Sequence, residues 1–188
     1  MPKPKDWKAG AWPGRKPGHY QWHEIQDTVA YYEEFEKPKI VIPAIVQRAS
    51  YTFETQGFYS NDKTSILVAD DFYLLGILNS RVADFVIHSI FSTKQGGYFE
   101  YKPMYVQQIP IRAVEDSSPA GVSLSDGIED QVRAMLDLQK QLKAARTGHD
   151  QAVIQRQIEG VDRRIDLLVY ELYALTDEEI RIIEETIV

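Results

Sequence analysis

Between residues 154 and 175 apolar side chains recur with an unbroken 4-3-4-3-4-3 spacing: Ile154, Ile158, Val161, Ile165, Leu168, Leu172 and Leu175. A strand turns alternate residues to one face, whereas a helix repeats every 3.6, so only a long amphipathic helix can bury this run on one side. A weaker version of the same stripe, Ile128, Val132, Met135 and Leu142, interrupted by Gln139, comes before it. The break Thr147-Gly148-His149-Asp150 separates the two, which predicts an antiparallel helical hairpin. A third, short helix starts at Thr176, where Thr176 and Glu179 have capping-box spacing, and Ile180, Ile182 and Ile183 supply its apolar face.

No such period runs through the rest of the chain, and the charge is divided accordingly. The 188 residues carry 28 Asp plus Glu against 21 Lys plus Arg, a formal charge of -7. Residues 1–112 hold 13 basic and 12 acidic side chains, and residues 113–188 hold 8 and 16, so the segments stand at +1 and -8. Averaged over the chain, the acidic balance argues against a phosphate-rich partner; divided, it leaves a near-neutral segment joined to acidic helices. Within the first segment the opening 18 residues have Lys3, Lys5, Lys8, Arg15 and Lys16 against Asp6 alone, a basic Pro/Gly-rich arm. The expected organisation is an arm over 1–19, an α+β domain over 20–112, a Ser/Pro/Gly linker over 113–126, and the hairpin with its C-terminal helix over 127–188.

The absence of cysteine removes disulfides, thiolate nucleophiles and thiolate metal sites, and suits a reducing cytoplasm. The N-terminus MPKPKDWKAG is polar, unlike a signal peptide, and no apolar run reaches the ~18 residues of a membrane span, so a soluble cytoplasmic protein is expected. Local patterns in the first segment predict a short helix from Asp27 to Phe35, then a strand over Lys39–Val46 that Pro43 marks as edge or bulged. Further strands are expected at Ser50–Glu54, Phe58-Tyr59, Thr64–Ala69, Tyr98–Tyr101 and Val106–Ile111. Asp70-Asp71 is placed to cap a helix through Leu78, and Asn79-Ser80 breaks and recaps it ahead of Val82, Phe85, Val86 and Ile90. Strands and helices mixed without a βαβ rhythm indicate α+β.

Catalytic signatures are weak. His19 and His23 have helical metal-site spacing, but Gly18 and the upstream prolines oppose a helix and no third ligand is signalled. Glu100-Tyr101-Lys102 resembles half of a magnesium nuclease site, yet the nearest upstream acids, Asp84 and Asp70-Asp71, fall in or at the start of helices rather than at a strand end. Gly-rich nucleotide loops, a nucleophile elbow and an Asn-Pro-Pro-aromatic tetrad are all missing. What remains is a set of basic, amide and aromatic residues in expected loops: Arg48, Tyr51, Asn61, Lys63, Lys94, Gln95 and Lys102. Such side chains hydrogen-bond base edges and phosphates, which makes them the candidate DNA contacts.

The order of landmarks adds to this. Trp22-His23-Glu24-Ile25, Phe35 to Val41, Phe58-Tyr59 with Asn61-Asp62, Leu74 to Ser80, Gly96-Gly97-Tyr98-Phe99 and Gln108 to Ile111 resemble the TaqI-like C-terminal specificity domain of adenine-specific DNA methyltransferases and fused restriction-modification enzymes. The tail from Val169 to Ile180 resembles the closing motif of those enzymes. The resemblance implies a target-recognition domain that reads double-stranded DNA and has no catalysis of its own. It also implies a separate catalytic domain, in the same polypeptide or a partner subunit, that holds S-adenosylmethionine. Two other readings stand beside it: a protein-interaction module built on the hairpin as an intermolecular coiled coil, and a magnesium-dependent nuclease using Glu100.

Overall fold

The computed structural model describes residues 19–21, 23–24, 29–90, 93–113 and 119–187, without the side chains of 119 and 120. Residues 1–18 of the basic arm, Trp22 and Ile25 of the first landmark, the start of the expected 27–35 helix, Ser92 and most of the Ser/Pro part of the linker lie outside these residues.

The fold is α+β. After a single-turn 3-10 helix, Tyr32–Glu36, strand β1 (Lys39–Pro43) forms the centre of a three-stranded antiparallel sheet, between β3 (Thr52–Glu54) and β4 (Thr64–Val68). The expected 39–46 strand is split at Ala44 into β1 and a separate β2, and β1 is central rather than an edge, although at Pro43 itself it is paired on one side only. Pairing with β3 stops at Val41, so at position 43 no N–H is required on that side, and Pro43 faces Thr64 of β4 alone. Lys39 is fully buried in this central strand. Its ammonium is held by the Glu54 carboxylate directly across the ladder and by the Phe35 carbonyl at 2.5 Å, which satisfies a charge that burial alone would expel.

Two expected strands are absent among the described residues. Phe58-Tyr59 is irregular because Glu54 takes its backbone donors: the carboxylate accepts from the N–H of Gln56 and of Phe58, leaving them unavailable to a ladder. Tyr59 instead stacks on Phe35, with ring centroids 4.9 Å apart. At the other site, helix α3 (Pro103–Val106) precedes a turn in which Gln108 and Ile109 donate to Tyr105 and Val106. Pro103 sets a helical φ at the first position, where no N–H is needed, and this local preference prevails over the β-branched composition of Val106 to Ile111.

Strands β2 (Ile45–Val46) and β5 (Phe99–Glu100) pair as a separate antiparallel ribbon. Between β4 and β5 in the chain lie α1 (Phe72–Leu78) and α2 (Arg81–Ile90). Asp71 caps α1 by accepting from Leu74 N–H at 2.8 Å, and the Ser80 hydroxyl accepts from Ala83 N–H at the start of α2.

The hairpin follows as expected, α4 (Pro119–Ala144) and α5 (Gly148–Leu172), with Thr147 capping α5 and the Thr176–Glu179 capping box starting α6 (Asp177–Thr186). Helix α4 begins inside the expected linker, since Pro119 fits a first turn and Leu124 already extends the apolar stripe toward Ile128. The hairpin is no separate body, because α1 lies against α4 and one core runs from Ile40, Leu75 and Ile77 through Ile128 and Val132 to Ile165 and Val169. At the crossing, a Cβ on Gly76 would stand 2.5 Å from Ile128 Cγ2 and 3.0 Å from Val132 Cγ2, so glycine sets how closely the helices approach. Polar ties reinforce the join. Asp166 of α5 accepts from Arg81 N–H at 2.8 Å and pairs with its guanidinium at 3.3 Å, while Arg81 Nη1 donates to Ile187 O at 3.2 Å.

Candidate nucleic-acid interface

Register in the β2–β5 ribbon sorts its side chains. Val46 pairs with Phe99, and Phe99 is buried with its ring stacked on His88 of α2, centroids 3.6 Å apart. Directly opposed residues share a face and successive ones alternate, so Ile45 and Glu100 point the other way, and Ile45 is half exposed. Beyond Glu100 the alternation continues, with Tyr101 buried and Lys102 outward. The ribbon thus has an inner face in the core and an outer face turned to solvent.

Two turns extend that outer face. Ala44, at the corner between β1 and β2, donates to Lys63 O and accepts from Tyr101 N–H, both at 2.9 Å, so the 61–63 turn and the start of α3 meet at one point. Asn61 shapes its turn from within: its side-chain oxygen accepts from Lys63 N–H at 2.9 Å. The second turn, Lys94 to Tyr98, closes with Lys94 N–H donating to Tyr98 O at 2.6 Å, and the left-handed φ of Gly96 (82°) and Gly97 (75°) is what glycine permits there. Gln47 ties this turn to the ribbon by donating to Gly96 O at 3.2 Å.

Five of the seven candidate residues, Asn61, Lys63, Lys94, Gln95 and Lys102, are brought to this one edge, and all are exposed. The other two are not. Tyr51 is a core residue, only 6 % exposed, with its ring edge-on to Tyr101, and burial pushes its hydroxyl pKa up; a phenol in this position cannot touch a duplex. Arg48 is drawn toward the interior at 3.4 Å from the carboxylate of Asp84. Asp84 is fully buried and also accepts from Ala49 N–H at 2.8 Å and from the Tyr101 hydroxyl at 2.7 Å. It anchors the 47–51 segment, and Arg48 there borders a cleft of about 580 Å³ between that segment, α1 and the hairpin. Reasoning from loop polarity missed this, since an acid in an amphipathic helix gives no sign that it binds a loop. It also passed over Ile45 and Met104, which with Gln47 and Tyr98 add apolar and amide surface around the ribbon.

Glu100 meets two cations instead of a metal-ligand set. Its carboxylate lies 3.1 Å from Lys102 Nζ and 3.6 Å from Lys94 Nζ, and the Lys102 hydrogen bond, with both ammonium charges, holds it below the usual carboxylate range. Among the described residues no group of three or more His, Asp or Glu is placed to hold a metal ion. The intermolecular coiled-coil reading also loses its surface, because Ile158 and Ile165 are buried within the chain. No described helix is long and apolar enough to cross a membrane.

These features define a small α+β domain braced by a helical hairpin, presenting a polar ribbon-and-turn edge to solvent. The model of the TaqI-like C-terminal specificity domain matches residues 9–111, more than half of the sequence, and the chain belongs to that family. Among solved structures, the Type IIL restriction-modification enzyme MmeI, determined in complex with DNA, is similar in fold, with a TM-score of 0.59 at 13 % identity over 75 % of this chain. The matched part is 19 % of the MmeI chain, about one fifth of its length. No curated protein matches the sequence.

Proposed function

We propose that this chain is the sequence-reading domain of a restriction-modification adenine methyltransferase and is not catalytic by itself. The outer face of the β2–β5 ribbon carries the reading: three lysines, the amides of Asn61, Gln95 and Gln47, and exposed apolar groups, brought to one edge through Ala44 and Gln47. A two-stranded ribbon fits the major groove, where amides and lysines distinguish base edges and neighbouring lysines neutralise phosphates. Family membership and the fold shared with an enzyme solved on DNA support the same conclusion.

Methyl transfer belongs to another domain. Among the described residues the glycines with left-handed φ, Gly57, Gly96 and Gly97, lie in turns, none of which leads from a strand into a helix as a nucleotide loop does. S-adenosylmethionine would therefore be held by a catalytic domain of the same polypeptide or of a partner subunit. The acidic hairpin, facing away from phosphate, would contact that domain.

Duplex binding followed by fluorescence anisotropy over a range of salt tests the proposal. Affinity should fall steeply with salt, and Lys63→Gln should reduce the log–log slope by about one. Binding that is equally strong at low and high salt would contradict it.

A further inference from the structure

A carboxylate at the centre of a surface meant for a polyanion is unexpected, and Glu100 is held there by design of the ribbon. Register places it on the outer face opposite Ile45, and residue alternation puts Lys102 on that face beside it. The glycine turn brings Lys94 back toward it from the other side, so its two oxygens engage one ammonium each, at 3.6 Å and 3.1 Å. The Lys63–Asp62 pair differs, because neighbours in sequence with side chains 76 % and 80 % exposed are free to part. Glu100 is only 21 % exposed and is fixed by the ladder.

Two lysines converging on one carboxylate form the arrangement that would grip the non-bridging oxygens of a phosphate. With Glu100 in place that grip is already filled, and the three groups together carry one positive charge instead of two. We infer that Glu100 is an internal phosphate mimic that restrains Lys94 and Lys102, lowering sequence-independent affinity so that base contacts decide where the domain settles. The inference rests on the DNA-reading function proposed above. A backbone phosphate must compete with an anion that is never displaced far, and the competition is the same at every sequence. Specificity is a ratio of affinities, so weakening the common electrostatic part favours sites where the ribbon's other groups find partners. Suppressing the charge of Glu100 should therefore strengthen binding, the opposite of what loss of a contact does.

The test compares the full chain with Glu100→Gln on a random-sequence duplex. The variant should bind about three- to tenfold more tightly at low salt, with a log–log salt slope steeper by about 0.9, the change for one further neutralised phosphate. Adding Lys94→Gln and Lys102→Gln to the variant should abolish the gain. Unchanged or weaker binding by Glu100→Gln, while the parent chain binds with a steep salt slope, overturns the inference alone and makes Glu100 a structural or base-contacting group. Absence of duplex binding by the parent chain overturns the DNA-reading function, and this inference with it. Circular dichroism of Glu100→Gln identical to the parent's, alongside tighter binding, confirms that charge and not a rearranged ribbon is responsible.

Discussion

Residues 29–113 are built from strands of two to five residues and helices of at most ten, tied by partly buried side-chain to backbone bonds such as Asp84 to Ala49 and Asn79 to Tyr51. Residues 119–187 use two helices of 26 and 25 residues and a third of ten, joined along a continuous apolar seam. The first region offers varied chemistry at its edge but has little regular structure to hold it. The second is monotonous in chemistry and has regularity to spare. Because the two share one core through α1 and α4, the hairpin serves as the rigid backing on which irregular turns keep their geometry.

Breaking the shared core should have the largest effect. Ile128 is fully buried where α4 meets α1, and Ile128→Ala should cost about 2–5 kcal/mol by urea denaturation. If the regions are one cooperative unit, hydrogen-exchange protection of β1 and α5 should fall together. Separate transitions would restore two independent domains. Gly76→Ala attacks the same crossing from the other side and should cost about 1–3 kcal/mol through overpacking, despite the helix-favouring substitution.

The polar tie between the regions can be sharpened by pH. Burial, with Asp162 nearby, raises the Asp166 pKa from 3.8 to about 6 against the opposing effects of Arg81. In the window between these values the native state retains a proton that the unfolded chain has released. Stability should therefore fall as pH rises from about 4 to about 6, by an amount on the order of 2–3 kcal/mol from this group. Asp166→Asn should flatten that part of the profile, measured as the urea midpoint against pH. A smaller effect is expected wholly inside the periodic region: Thr176→Ala removes the capping box of α6 and should cost about 1 kcal/mol, without altering the salt dependence of duplex binding.

The periodic region was legible in detail. Spacing located α5 and the antiparallel turn, and the Thr176–Glu179 pattern located α6 with its cap, because amphipathic periodicity and capping are local properties. The start of α4 was misplaced because Ser, Pro and Gly composition signals an exposed connection as readily as a proline-led first turn. In the N-terminal segment, local signals placed β1, β4, α1 and α2 but failed where a single near neighbour overrode the propensity of the run. Glu54 claims the donors of Gln56 and Phe58, and Pro103 starts a helix where β-branched residues suggested a strand. The candidate site divides in the same way. Exposure of Asn61, Lys63, Lys94, Gln95 and Lys102 followed from turn chemistry, whereas nothing local revealed the buried Asp84, which pairs with the half-buried Arg48, or the core position of Tyr51.

What the amino-acid order determined by itself is therefore the amphipathic hairpin, the α+β character of the first segment and the kinds of side chain its turns expose. Only the tertiary structure decided which turns meet at Ala44, that Lys39 and Asp84 are buried yet satisfied, and that Glu100 faces two lysines rather than a metal site. The physical reason is range. Helical period and capping act over about four residues, while burial of a charge and the partner that compensates it depend on segments far apart in the chain, brought together only when the core closes.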